Sequence, residues 1–94
     1  MNTVFDAVNW TDLKKQLRPL EGNAIFTLQR VRSFQDGVFH RILHEVRTHE
    51  LVFFDGEQLV YLEVPESEED ELEFFENGFR YKNCTYTLEK IIEE

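Results

Sequence analysis

The sequence predicts an α+β domain in which an N-terminal helix packs on an antiparallel β-sheet built from hairpins. Three observations carry that expectation. Residues 10–18 form a capped amphipathic stretch ended by a proline. LVFF-DG-EQLVYLEV at 51–64 sets two apolar runs around a turn dipeptide. The stretches at 24–34 and 79–82 alternate apolar with polar residues. A second helix at 38–49 is the preferred reading of one ambiguous stretch. Read as a strand instead, it makes the chain a mostly-β meander or small barrel with one N-terminal helix. The 94 residues suffice for one core, so 1–94 is read as a single small acidic domain.

Taken in order, the first element is a helix over about 10–18. Asn9 is its N-cap and Asp12, three residues on, takes the second place of a capping box. Val8 and Leu13 fall at the two positions of a hydrophobic staple. Trp10, Leu13 and Leu17 share one face, and Pro19 ends the helix. AIFTLQRVRSF at 24–34 reads as a strand, because Phe26 and Leu28 alternate with Thr27 and Gln29. Its phase slips at Arg30–Val31, the mark of a bulge or an exposed end. Asp55-Gly56 then supplies a type I′ turn between the two apolar runs of the clearest hairpin, and Pro65 closes its second strand. Residues 67–76 fit two templates. Ser67 with Asp70 resembles a capping box whose helix would stop at Gly78, whereas Asn77-Gly78 is a hairpin turn joining LEFFE to FRYKN. The hairpin is preferred, since Phe79 and Tyr81 alternate with Arg80 and Lys82. A last strand covers about 84–89.

FHRILHEVRTHE at 39–50 is the one stretch that hints at chemistry. Phe39, Ile42, Leu43 and Val46 fall at helical spacing, Asp36 can cap the start, and Arg47 and His49 suit a C-terminal turn. As a strand, one face reads Val38, His40, Ile42, His44, Val46 and the other Phe39, Arg41, Leu43, Glu45, Arg47. Neither face is clean. A two-residue loop at Asp36-Gly37 would also oppose Arg32 to Arg41, a clash that a three-residue loop ending in Gly37 avoids. On a helix His40 and His44 stand about 5–6 Å apart at Cβ and can chelate an ion; in a strand four residues span about 13 Å and cannot. The zincin spacing needs Glu directly after its first His, where this chain has the cation Arg41. The histidines are therefore expected to be solvated or partly packed, with no metal and no cofactor.

Nothing else carries a catalytic signature. Cys84, the only cysteine, sits in KNCTY without the marks of a nucleophile, and the four glycines never form a phosphate-cradling loop. No catalytic residue is expected, and the protein is read as a non-enzyme. A lone Cys forms no internal disulfide, MNTVFDAVNW lacks the basic and long apolar regions of a secretion signal, and the longest apolar runs fall far short of the ~20 residues that span a bilayer. A cytoplasmic setting without membrane contact follows as the expectation. Nine Phe, three Tyr and one Trp are read as core filling, each ring burying about 150–250 Å².

Charge narrows the partners. Residues 1–49 carry seven Lys/Arg against five Asp/Glu, whereas residues 50–94 carry three against fourteen. Such a chain repels phosphate backbones, so direct nucleic-acid binding is not expected and a basic protein surface is the expected partner. EVPESEEDELEFFE at 63–76 holds eight acids and no base. The partner-binding residues expected are Glu66, Glu68, Glu69, Asp70, Glu71, Glu73, Phe74 and Phe75. Charge steers the encounter, and Leu72 with the two rings forms an apolar centre. The function expected is a non-catalytic protein-binding module, a small inhibitor or regulator. One alternative is a nucleic-acid mimic whose strand row Glu69, Glu71, Glu73 imitates a phosphate track. Another is an assembly subunit with an apolar self-association face. A monomer is read ahead of a homodimer.

Overall fold

The computed structural model describes residues 5–30 and 37–92. One helix, α1 (Trp10–Leu17), is followed by a 3-10 turn at Arg18–Leu20. Seven strands follow: β1 Ala24–Arg30, β2 Gly37–Val46, β3 Glu50–Phe54, β4 Leu59–Glu63, β5 Glu73–Phe75, β6 Gly78–Tyr81 and β7 Cys84–Ile91. They form a single antiparallel sheet in the order β4-β3-β2-β1-β7-β6-β5. Two meanders thus meet where β7 pairs with β1, and the sheet curls into a half-barrel with α1 on its inner face. The predicted α+β class stands, in its strand-rich form.

Asn9 caps α1 as expected, its side chain accepting from the Asp12 N–H at 2.8 Å. The reciprocal bond is displaced by one residue, because Asp12 Oδ2 accepts from the Val8 N–H at 3.0 Å. The staple does not form: Val8 is 71% exposed while Leu13 lies fully buried. Trp10, Leu13 and Leu17 face the sheet, and the Trp10 indole donates to the Thr48 carbonyl at 3.1 Å. Pro19 stops the α-helix because it has no N–H to donate.

Residues 38–49 are not a helix. They belong to β2, which pairs with β1 through Leu28–Phe39, Phe26–Arg41 and Ile25–Ile42, and with β3 through Leu43–Phe53 and Val46–Leu51. The register shifts between Leu43 and Glu45, so His44 is an extra bulged residue. That bulge is why neither strand face read cleanly. It puts Leu43 and Val46, three residues apart, on the same buried side and so imitates a helical period. A second bulge, at Glu89 on β7, lies opposite Ile25/Phe26 on β1. Bulges sharpen strand twist, and both sit where the sheet must curl. The Arg30–Val31 phase slip, the Arg32–Arg41 clash and the Asp36 cap involve positions outside the described residues.

Both hairpins form, with turns other than those predicted. β3 and β4 close at Phe54–Leu59 around a four-residue loop, and of its residues only Gly56 takes a positive φ, 107°. Asp55 organises the loop instead, accepting the N–H groups of Glu57 and Gln58 at 2.8 and 2.9 Å. β5 and β6 close at Phe75–Gly78, so the loop is Glu76-Asn77, with Asn77 at φ 64°. Gly78 lies in the ladder for a different reason. A Cβ there would collide with the Tyr86 carbonyl oxygen and the Phe75 ring.

Phe26 is the centre of the core, with Phe5, Phe53 and Phe79 edge-on to it at 5.8–6.5 Å and Tyr86 stacked on Phe79 at 4.8 Å. Alternation along the strands sends Ile25, Thr27, His40, Ile42, Val52 and Phe54 to the outer face, where Val52 alone among them is fully buried.

Candidate protein-binding surface

The chain leaves edge strand β4 and reaches the opposite edge, β5, across the open side of the half-barrel. Its path is fixed at both ends by apolar burial, with Val64 at 0% and Leu72 at 7% exposure. Between them Glu66–Glu71 wind into a 3-10 turn, closed by Glu68 N–H to Pro65 O at 2.9 Å. Pro65 is extended and cannot continue a strand ladder, and short 3-10 pieces suit such connectors. The acids therefore point outward by construction. Glu66, Asp70 and Glu71 are exposed, and Glu68 and Glu69 half-buried.

Two of the acids are engaged. Glu68 meets Lys82 Nζ at 3.5 Å, and Glu73 is bridged by Arg80, with Arg80 Nε at 2.9 Å and its terminal nitrogen closer still. The Glu68 carboxylate, and then the charge of the Tyr81 phenol group, raise the Lys82 ammonium above its ordinary value. The Tyr81 hydroxyl is buried without a hydrogen-bond partner, and burial, then neighbouring Glu68, push it up. Glu66, Glu69, Asp70 and Glu71 form no ion pair among the described residues.

The predicted site residues do not gather into one patch. Leu72 is buried and Phe74 packs half-buried against the core, so neither supplies an exposed apolar centre. Phe75 points to the outer face, where it lies across Gly78. It covers a residue with no side chain of its own, the arrangement by which aromatic rings stabilise glycine in a sheet. The row Glu69, Glu71, Glu73 is not a strand face either. Glu69 and Glu71 lie in the 3-10 turn, where residues three apart eclipse instead, so that Glu66 aligns with Glu69 and Glu68 with Glu71.

The histidines are separated. His40 lies on β2 opposite Thr27, His44 at the bulge and His49 in the β2–β3 loop. No group of metal-binding side chains occurs among the described residues. One polar cluster escaped sequence reasoning. Glu89 Oε2 meets His40 Nδ1 at 2.7 Å and accepts from the Thr27 hydroxyl at 3.0 Å. His40 first, and then Thr27, hold the Glu89 carboxyl below its usual range. Nucleophilic catalysis would need the imidazole between hydroxyl and carboxylate; here the carboxylate stands between them, on open surface. The signal was not legible, because it depends on the β7 bulge bringing Glu89 to the outer face.

On the other face of β2 from His40, Arg41 turns inward, its Nε buried without a hydrogen-bond partner and its guanidinium 5.9 Å from the Phe39 ring centroid. A shallow groove of about 270 Å³ on α1, lined by Thr11, Lys14, Lys15 and Arg18, holds cations and no acid–base pair. No helix among the described residues is long and apolar enough to cross a membrane. No protein-family model matches the chain, and neither a curated protein nor a solved structure is significantly similar to it.

Proposed function

We propose that this is a non-catalytic binding module, an inhibitor or regulator working in a cytoplasmic setting, that presents the acidic turn at 66–71 to a basic protein surface. The observation that carries the reading is the anchoring of the turn. A loop that served only solubility would need no buried residue at each end, whereas Val64 and Leu72 hold this one in a fixed shape. Fixed charges lose less entropy on contact than mobile ones and so steer and dock more effectively. The contact is electrostatic at its centre, since the expected rings turn elsewhere. Phe75 borders it at the β5 edge.

The test reverses Glu66, Glu69, Asp70 and Glu71 to Lys. Glu68 and Glu73 are spared because they hold Lys82 and Arg80. Surface changes of this kind cost less than ~0.5 kcal/mol each, so the fold should survive and melt nearly as before. Proteins captured from the native host by the parent protein should be released by salt and lost from the reversed one, with association slowed. A captured partner that the reversed protein binds at unchanged rate and salt slope removes the acidic turn from the contact.

A further inference from the structure

The two edges of the sheet are built differently. β5 is three residues long and flanked by acids, two of the usual ways of blunting an edge. β4, Leu59-Val60-Tyr61-Leu62-Glu63, is five residues of nearly uninterrupted apolar strand, with no Pro, Lys or bulge. Its only guard is Glu63 at one end. Val60 and Leu62 turn toward the inner face yet remain half-exposed, and Leu59 and Tyr61 are 40% and 51% exposed on the outer face.

The hydrogen bonds fix which backbone groups of β4 are free. Asp55–Gln58 and His49–Val64 are bonded pairs at the two ends of the β3–β4 ladder, at 3.2 and 2.7 Å. Antiparallel pairs alternate between bonded and non-bonded, so Val60 and Leu62 spend their N–H and C=O on β3. Those of Leu59, Tyr61 and Glu63 point away from the sheet, and no partner is found for them among the described residues.

We propose that β4 is a dimerisation edge that pairs antiparallel with β4 of a second copy, about a two-fold axis through Tyr61. The strand's own sequence selects this register. Centred on Tyr61, the pairing joins Leu59 to Glu63 of the other copy, Tyr61 to its counterpart and Glu63 to Leu59. All three free residues are then used on each side. Centring on Val60 would set Glu57 against Glu63, a like-charge opposition, and centring on Leu62 would set Leu59 against Pro65, which has no N–H. In the chosen register Val60 and Leu62 face each other across the axis and cover each other's exposed inner sides, while the Tyr61 rings meet outside. Pro65, the start of the acidic turn, falls opposite Glu57 of the β3–β4 loop, outside the paired segment 59–63. The two turns therefore begin about 26 Å apart along the strands, beyond the ~8 Å range of screened charge in physiological salt. Acidic composition argues against self-association in general, and this edge supplies a specific route around that repulsion.

Position 59 gives the test, because a Lys there would face Glu63 of the other copy and a Glu there would repel it. Both substitutions remove the same leucine. The parent protein should show a concentration-dependent monomer–dimer equilibrium in sedimentation velocity. Leu59→Lys should dimerise at least about tenfold more tightly than Leu59→Glu, since the cross-strand pair occurs twice by symmetry. Tyr61→Lys, which opposes two like charges, should be monomeric. The same pair of charges at Val8, exposed and outside β4, controls for net charge and should leave the equilibrium nearly unchanged; circular dichroism confirms that each variant is folded. A parent protein monomeric at every concentration, or equal weakening by Lys and Glu at position 59, overturns the proposal and leaves the edge to a foreign strand.

Discussion

Deleting His44 should leave this protein folded, although His44 lies within the ten-residue strand β2. Leu43 pairs with Phe53, Glu45 with Val52 and Val46 with Leu51, and His44 has no partner of its own. Without it the ladder runs in uniform register, and Leu43 and Val46 keep their buried side. The direct loss is the Val46 N–H bond to the Glu21 carboxylate at 2.9 Å, whose geometry depends on the local bend. Together with some loss of curl, a cost of about 1–2 kcal/mol is expected. For a domain of this size that lowers the melting temperature by roughly 4–16 °C. Deleting Arg41, three residues earlier, is the contrast. It lies in unbroken register against Phe26, so its loss turns one part of the strand inside out. Turning out Leu43 and Val46 alone forfeits about 3–6 kcal/mol, much of the ~5–14 kcal/mol that a chain of this length carries. Thermal and urea melts followed by circular dichroism read both variants. If the His44 deletion unfolds as completely as the Arg41 deletion, the bulge is not the reason for the irregular pattern of 39–50.

Gly78→Ala should destabilise by about 1–3 kcal/mol, because the Tyr86 carbonyl that its Cβ would strike is backbone and cannot step aside; a urea melt unchanged from the parent would contradict the close approach. Stability should also fall in acid with a predictable sign. The Gln58 and Glu57 amides hold the Asp55 carboxyl below its ordinary value, and His40 and Thr27 do the same for Glu89. A depressed folded value stabilises above the unfolded one, near ~3.9 for Asp and ~4.3 for Glu, and that contribution disappears as pH falls through the folded value. The melting temperature should therefore be insensitive to these two groups above about pH 5 and decline below about pH 4. Asp55→Ala should show a shallower decline, and an identical acid limb in the variant would remove Asp55 from the cause.

What could be read from the sequence was mostly local. The cap of α1, its buried face and its end at Pro19 each depend on residues within one or two turns, and each is in place. The β3–β4 hairpin was legible for the same reason, yet its turn was not. Asp55-Gly56 has the composition of a two-residue loop, but the Asp55 side chain can bond two amides of a longer loop, and the pairing of Phe54 with Leu59 decides between them. The error over 38–49 has a sharper cause. A bulge inserts one residue into a period of two, and over eight residues the result matches a period of 3.6. Only the pairing of β2 with β1 and β3, both distant choices, resolves the ambiguity.

The site shows the same division between composition and placement. Eight acids in fourteen residues were visible at once, but composition does not say which side chains turn outward. Phe74 and Phe75 are adjacent in sequence and lie on opposite faces of β5, so a strand cannot offer both to one partner. Leu72, which looked like the apolar centre of a contact, is instead buried at the end of the acidic turn. β4 divides in the same way. Its apolar run reads as ordinary core until the sheet order leaves it at an edge, and only the phase of its hydrogen bonds shows which three residues face outward. An acidic turn of fixed shape and an unguarded edge then follow one another directly in the chain, joined at Val64-Pro65. A β4-paired dimer would carry two such turns on one rigid sheet, and a basic partner with two matching sites would gain effective concentration at the second without any new contact.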